Sequence, residues 1–248
     1  MSETLEEKLK EARLLEKNSM YSDSAKQIIS SLTHELRTPL SVITSNIDLL
    51  KKFNYSIDNK VVNETFYLCD EAIKSMTRFV EDVSLLNGFN KNEWKANYKE
   101  LNIISFSEGL IQKLPDHYRN RIRLEGNFEV KVFCTDAYLL SMMLNHVIKN
   151  ALQFSAEEVF LKIHCSEEEL VVEVKDLGIG IPEDEIDQVF EPFYRGNNVK
   201  MMAGSGLGLA IVKRSMNLLK GTIEVNSLID HGTTFNIKIL KPWMPERF

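Results

Sequence analysis

From residue 27 to residue 53 apolar side chains return every third or fourth position, with no glycine and one proline. In heptad letters, Ile29, Leu36, Ile43 and Leu50 take position a, and Leu32, Pro39, Asn46 and Phe53 take position d. Positions e and g add Ile28, Leu40, Val42, Ile47 and Leu49, while b, c and f hold no apolar residue. This is an amphipathic helix with a broad apolar stripe. After a polar break, "NYSIDN", Val62, Phe66, Cys69, Ile73, Met76, Val80 and Val83 follow at spacings of 4, 3, 4, 3, 4 and 3. A seven-residue repeat held this long favours close helix–helix packing with a left-handed supercoil. The second helix is expected to stop at "NGFN", with Gly88 as the signal. Two such helices joined by a short loop make an antiparallel hairpin. A lone hairpin leaves much of its stripe wet, so two copies pairing into a four-helix bundle, a homodimer, are expected. Residues 1–20, with Leu5, Leu9 and Ala12 out of register, read as a coiled-coil lead-in.

Bulk properties narrow the class. A net charge of −6 disfavours nonspecific nucleic-acid binding. Cys69, Cys134 and Cys165 are far apart and odd in number, which suits a reducing compartment and gives no metal or disulfide spacing. No apolar run approaches membrane-spanning length, and "MSETLEEKLKEARLLEKN" lacks the apolar segment of a signal peptide. The chain therefore reads as cytoplasmic, or as the soluble piece of a membrane-anchored protein.

One stretch of the first helix does not fit a purely structural role. "SLTHELRTPL" puts His34 at the polar f position, Glu35 beside it, and Thr38 one turn on, on the same side. Pro39 cannot donate to the carbonyl of Glu35 and is expected to kink the helix. A neutral imidazole is a nucleophile near neutral pH, and an adjacent carboxylate orients it and takes its other proton. That combination describes a phosphoryl acceptor. A metal site is disfavoured, because the i+4 position is threonine.

The pattern changes after a polar stretch, "KNEWKANYKE", read as a linker over 91–100. A helix is expected around 106–114, and "RIRLEG" and "FEVKVF" read as two strands turning at Gly126-Asn127. A helix capped by Asp136 follows to Phe154. Strands are expected at "EVFLKIHC" and "LVVEVKD", a helix start at "PEDEIDQVF", a helix over about 206–219, and closing strands at "GTIEVNS" and "TTFNIKIL". Helices and strands around one sheet give an α/β sandwich.

Informative residues gather in this half. "KDLGIGIP" places Asp176 after a strand, with Gly178 and Gly180 close behind. "GSGLGLA" places Gly204, Gly206 and Gly208 at a helix mouth, where backbone amides and the helix dipole can meet a phosphate. The second is not a Rossmann fingerprint, and no Gly-Lys-Ser/Thr of a P-loop occurs. On the middle helix His146 and Asn150 share a face, and an asparagine carbonyl can serve Mg²⁺ when phosphate oxygens and water complete the shell.

In order, "HELRTPL", "NHVIKNA", "DLGIGI", "FEPFYR" and "GSGLGLAIVK" resemble the cytoplasmic core of a two-component sensor histidine kinase over roughly residues 20–240. The resemblance implies a dimerisation and phosphotransfer domain at 21–90 and an ATP-binding domain of the histidine-kinase and gyrase type at 101–248. It implies that His34 accepts phosphate from ATP, that Glu35 takes the imidazole proton, and that Thr38 positions water for dephosphorylating a response regulator. Asn150 would bind Mg²⁺. Asp176 would accept from the adenine amino group in a pocket shaped by Gly178 and Gly180, with Phe154 packing nearby. Arg195 would reach the phosphates, and Gly204, Gly206 and Gly208 would hinge a mobile lid over about 194–206. Three positions depart from the family: His146, Gln153 and Phe154, whose ring can pack near the nucleotide but has no hydroxyl. His146 stands where most members have asparagine, as in the chemotaxis class, and a protonated His146 would help stabilise transferring phosphate. Gln153 stands for the usual lysine, so slow autophosphorylation is expected. The implied partners are a second copy and a response-regulator receiver domain on another chain. Two other readings share the nucleotide fold: a nucleotide-binding scaffold with weak catalysis, and a gyrase or mismatch-repair-type ATPase, which would need a glutamate at His146.

Overall fold

The computed structural model describes residues 29–52, 58–90, 94–199, 202 and 204–242. The lead-in expected over 1–20 and most of the hairpin loop lie outside them. The chain divides into two compact units, Met1–Glu81 and Asp82–Phe248.

In the first unit α1 spans 29–52 as unbroken helix across Pro39, and α2 (Asn59–Asn90) begins there, its last residues from Asp82 belonging to the second unit. Along α1 the half-buried line is Leu32, Leu36, Pro39, Ile43, Asn46 and Leu50, which are the a and d positions. On α2 the inner line differs from the expected one. It runs Val62, Thr65, Cys69, Ala72, Met76, Phe79, Val83 and Leu86, and its buried members are Thr65, Ala72, Phe79 and Leu86. Phe66, Ile73 and Val80 fall beside that line, 59%, 52% and 57% exposed. The apolar repeat therefore joined half of the seam to an outer row. Two of the buried positions are small, and the Thr65 hydroxyl donates to the Val61 carbonyl at 2.7 Å, which satisfies it within the helix.

The second unit is a two-layer α/β sandwich. Its sheet has the order β2 (Ile122–Phe128), β4 (Val159–Cys165), β5 (Glu169–Lys175), β7 (Gly232–Leu240), β6 (Thr222–Leu228). Only β2 and β4 are parallel. Alternation along β4, β5 and β7 sends Leu161, Ile163, Val172, Val174, Phe235 and Ile237 into the core. The opposite face carries ion pairs such as Lys238–Glu169 at 2.5 Å and Lys162–Glu173 at 3.7 Å. Helices α5 (Ala137–Phe154) and α6 (Gly208–Leu219) cover the apolar face. A two-stranded antiparallel ribbon of β1 (Lys99–Asn102) and β3 (Val132–Thr135) stands apart, with α3 (Ile103–Gln112) and a single turn, α4 (Asp116–Arg119), completing the unit. Cys134 and Cys165 are buried free thiols, and burial pushes both above the usual thiol range.

Several local expectations are corrected. Gly126-Asn127 is no turn: both lie within β2, paired with Ile163 and His164. A side chain at Gly126 would sit 1.9 Å from the Phe128 ring, so glycine there admits the ring. The partner of β3 is β1, not β2. α3 starts at Ile103, because the Asn102 side chain caps it by accepting from the Ser105 amide at 3.1 Å. "PEDEIDQVF" forms two 3₁₀ turns, Glu183–Glu185 and Gln188–Phe190, not one helix. Gly88 does not stop α2 but lies within it, where a Cβ would meet the Trp94 indole at 2.6 Å. The linker is also shorter than expected. Trp94 stacks on Tyr138 with centroids 5.6 Å apart and meets Phe89 edge-on at 5.4 Å. The Asn97 amide donates to Asp136 at 2.7 Å, and the Tyr98 hydroxyl donates to the Leu218 carbonyl. From Trp94 onward the segment is fastened to the α/β unit. Asp136 caps α5 as expected, accepting from Tyr138 and Leu139 at 2.9 and 3.0 Å.

Candidate active site

The first candidate group sits on α1. The His34 side chain is 74% exposed, and its Nδ1 lies 3.6 Å from Glu35 Oε1, too long for a hydrogen bond but within ion-pair range. Glu35 is itself only 23% exposed. With Nδ1 turned to the carboxylate, Nε2 points away from it. Thr38 faces the same side, and its hydroxyl donates to the His34 carbonyl at 3.3 Å. The helix thus presents imidazole, carboxylate and hydroxyl together.

The second group surrounds α5 in the α/β unit. Asp176 is 5% exposed and follows β5. Its Oδ1 accepts from the amides of Gly178 at 2.9 Å and Thr233 at 3.2 Å. Burial pushes its carboxyl above the usual range, against the lowering effect of those two amides. Three glycines make the close packing possible. A Cβ on Gly178 would lie 2.2 Å from the Phe154 carbonyl, which accepts from the Ile179 amide at 3.2 Å. Gly180, at φ +69°, leaves no room beside the Leu228 carbonyl, and Gly232, at φ +93°, none beside the Asp176 carbonyl. The last turn of α5 is held by Arg121, which donates to the carbonyls of Leu152, Ser155 and Glu157 at 3.1, 2.6 and 2.9 Å. Sequence reasoning missed this arginine.

Asn150 is half-buried and its carboxamide has no hydrogen-bond partner among the described residues. Among those residues no cluster of three His, Cys, Asp or Glu could cage a metal. A cation at Asn150 would need a ligand's oxygens and water, which is the donor set Mg²⁺ takes on a nucleotide. His146, one turn before Asn150, has its Nε2 3.4 Å from Asp82 Oδ1. Its ring lies against the first residue of α6, since a Cβ on Gly208 would be 3.0 Å from Nδ1. Among the described residues no side chain caps the N-terminus of α6, which leaves its first-turn amides without a side-chain acceptor there. Gly206, at φ +69°, accepts from the Phe193 amide at 2.9 Å, and a Cβ on Gly204, at φ +152°, would meet nothing within 4 Å among the described residues.

Arg195 Nη2 donates to the Val199 carbonyl at 2.7 Å and to that of Met202, both in its own loop. The neighbouring chain is also held, by Asn197 to Glu185 and by Asn198 to the Gly180 carbonyl. The first half of the expected mobile lid is thereby anchored. His146, Asn150 and Phe154 lie on α5, with Gly208 packed on His146 and the Asp176–Gly178 turn on Phe154, while Gly180 packs on Leu228 and Gly206 on Tyr194; His34, Glu35 and Thr38 belong to the other unit.

Known proteins match both units. Residues 24–87 match the family described as "His Kinase A (phospho-acceptor) domain", and residues 135–242 match "Histidine kinase-, DNA gyrase B-, and HSP90-like ATPase". Across both, the chain is 29% identical over 223 residues to sensor histidine kinase WalK of Bacillus subtilis. The chain belongs to the sensor histidine kinase family. That alignment covers 86% of this chain and 36% of WalK, so the chain spans about a third of that kinase. Among solved structures, the Acinetobacter baumannii histidine kinase AdeS superposes with a TM-score of 0.64 at 22% identity, over 84% of this chain and 98% of that one. Histidine kinase ThkA in complex with response regulator protein TrrA superposes at 0.62 and 16% identity, over 87% of this chain and 61% of that one. Both likenesses are of fold. Among the described residues no helix is long and apolar enough to cross a membrane.

Proposed function

We propose that the chain is an ATP-dependent protein-histidine kinase that phosphorylates its own His34 and passes the phosphoryl group to an aspartate of a response-regulator receiver domain. The observation that carries this reading is His34 itself: a 74%-exposed imidazole on a helix, Nδ1 toward a half-buried carboxylate. In the reaction His34 Nε2 attacks the γ-phosphorus, the bond to the departing ADP oxygen breaks, and Glu35 draws the Nδ1 proton. Such transfer asks for alignment and charge stabilisation more than for covalent chemistry.

The α/β unit supplies the donor side. Asp176 accepts the adenine amino group on Oδ2, its Oδ1 being occupied by two amides. Phe154 packs near the base, and the uncapped start of α6 with Gly204, Gly206 and Gly208 receives the phosphates. Asn150 would hold Mg²⁺ against those phosphates, where the ion, when bound, neutralises their charge. His146 lies at the same helix mouth and, when protonated, adds a positive charge there. Thr38, one turn from His34, positions water for the reverse activity, dephosphorylation of the regulator.

Two partners follow. Leu40, Val42, Ile47 and Leu49 on α1, with Phe66, Ile73 and Val80 on α2, are 37–59% exposed. A second copy covers them in a dimeric four-helix bundle. The solved complex of ThkA with TrrA supports a receiver domain as the other partner.

The test is incubation of the chain with Mg²⁺ and γ-labelled ATP. Acid-labile, base-stable label is expected on the protein and none on His34→Gln. Label that survives in His34→Gln contradicts the reading.

A further inference from the structure

Glu183, Asp184 and Glu185 read as three alike acids of one turn, but only Glu185 is buried, at 3% exposure. A carboxylate buried to that degree is costly unless donors satisfy it. Its donors are Asn197 and the Tyr194 hydroxyl. The Asn197 backbone amide lies 3.2 Å from both carboxylate oxygens, and its Nδ2 lies 2.5 Å from Oε1. Gly196 makes this approach possible, since a Cβ there would sit 2.6 Å from Oε2. Asn198 then donates from Nδ2 to the Gly180 carbonyl at 2.9 Å, and Arg195 ties Val199 and Met202.

We propose that Glu185 is a positioning residue for nucleotide binding: it fixes residues 195–199 and, through Asn198, registers that loop against the Asp176–Gly180 turn. The inference rests on reading that turn as part of an ATP site. Glu185 itself touches no substrate. It acts by making two walls of the pocket one body, so that a ligand which orders the turn also favours the docked loop, and the reverse. The loop leads toward the glycines before α6, so its register sets where the phosphate-side backbone begins.

The experiment measures ATP KM, kcat of autophosphorylation and thermal midpoint on the whole chain. Glu185→Gln keeps the shape but sets an amide donor against the Asn197 amide. ATP KM is expected to rise about tenfold, since a hydrogen bond to a charged group is lost, while kcat moves less than about twofold, as for lost uniform binding. Asn197→Asp, which opposes two carboxylates, behaves likewise. The pair Glu185→Gln/Asn197→Asp turns the bond round, with the glutamine amide donating to the new carboxylate and its oxygen accepting the backbone amide. KM is expected to return to within about threefold of the parent, because only the direction of one bond has changed. Asn198→Ala, at an exposed position, raises KM about threefold by the loss of one neutral hydrogen bond. An unchanged KM in Glu185→Gln or in Asn198→Ala overturns the proposal, as does a KM loss that the reversed pair does not restore. If the parent chain binds no ATP, the reading of the pocket fails first. If the parent binds and the variants bind alike, the assignment to Glu185 alone fails.

Discussion

α1 and α5 are both amphipathic helices, and they end in opposite states. On α5 Leu139, Leu140, Met143, Leu144, Val147 and Ile148 are at most 1% exposed. On α1 Leu36, Ile43 and Leu50 are half-buried, and no described residue of that helix is buried. The pattern is similar; what differs is the number of neighbours. α5 lies on a sheet and beside α6, so one chain closes its apolar face. A hairpin helix has a single intramolecular partner, and a broad stripe needs more. The α/β unit closes its apolar face within one chain, whereas the hairpin leaves part of its stripe uncovered, which the proposed second copy would bury. The same openness leaves the His34 side chain 74% exposed, as the proposed phosphoryl transfer requires.

The strongest way to break this contrast is to open a cavity in the closed unit. Leu144→Ala is expected to cost about 2–5 kcal/mol in the α/β unit, seen as a lower thermal midpoint of ATP-protected unfolding, with dimer affinity unmoved. A weakened dimer in that variant would show that the units do not divide their stability as argued. A smaller effect is expected at the outer row of α2. Ile73 is 52% exposed within one chain, so a purely monomeric hairpin should tolerate Ile73→Asp within about 0.5 kcal/mol. If a second copy covers it, sedimentation should instead show dimer association weakened by at least about tenfold, or about 1.4 kcal/mol. The smallest effect concerns pH. Burial raises the Asp176 carboxyl, so the folded chain holds that proton more tightly than the unfolded one. Between the ordinary aspartate range and the raised one, acid therefore favours the fold at this site while removing an acceptor from adenine. ATP affinity should fall on acidification before exposed aspartates titrate. Asp176→Asn should remove that step and leave nucleotide-free stability at neutral pH no lower than the parent's.

The α/β unit was legible where a residue type is forced by backbone geometry. Gly178, Gly180 and Gly206 are glycines because of close backbone approach or positive φ, and both demands show in the letters. The α1 seam was legible because its a and d letters are mostly strongly apolar. The α2 seam was half lost because Thr65 and Ala72 are not, although burial selects them for fit. Gly126-Asn127 misled because a local turn signal was overridden by parallel pairing with β4, a partner distant in sequence. "KNEWKANYKE" carried its own warning: Trp94 and Tyr98 are aromatics in a polar stretch, and both pack. Glu185, Asn197 and Asn198 left no such trace, because a buried carboxylate and its amide partners are spelled with the letters of a solvated loop.

The direct test of the central claim is to treat the intact chain with Mg²⁺-ATP, keep it above the pH at which phosphohistidine hydrolyses quickly, and map the phosphate to a residue. The account predicts a single phosphorylated side chain, His34, discharged on adding a cognate receiver domain. Phosphate on any other residue, or ATP bound with His34 never modified, contradicts it.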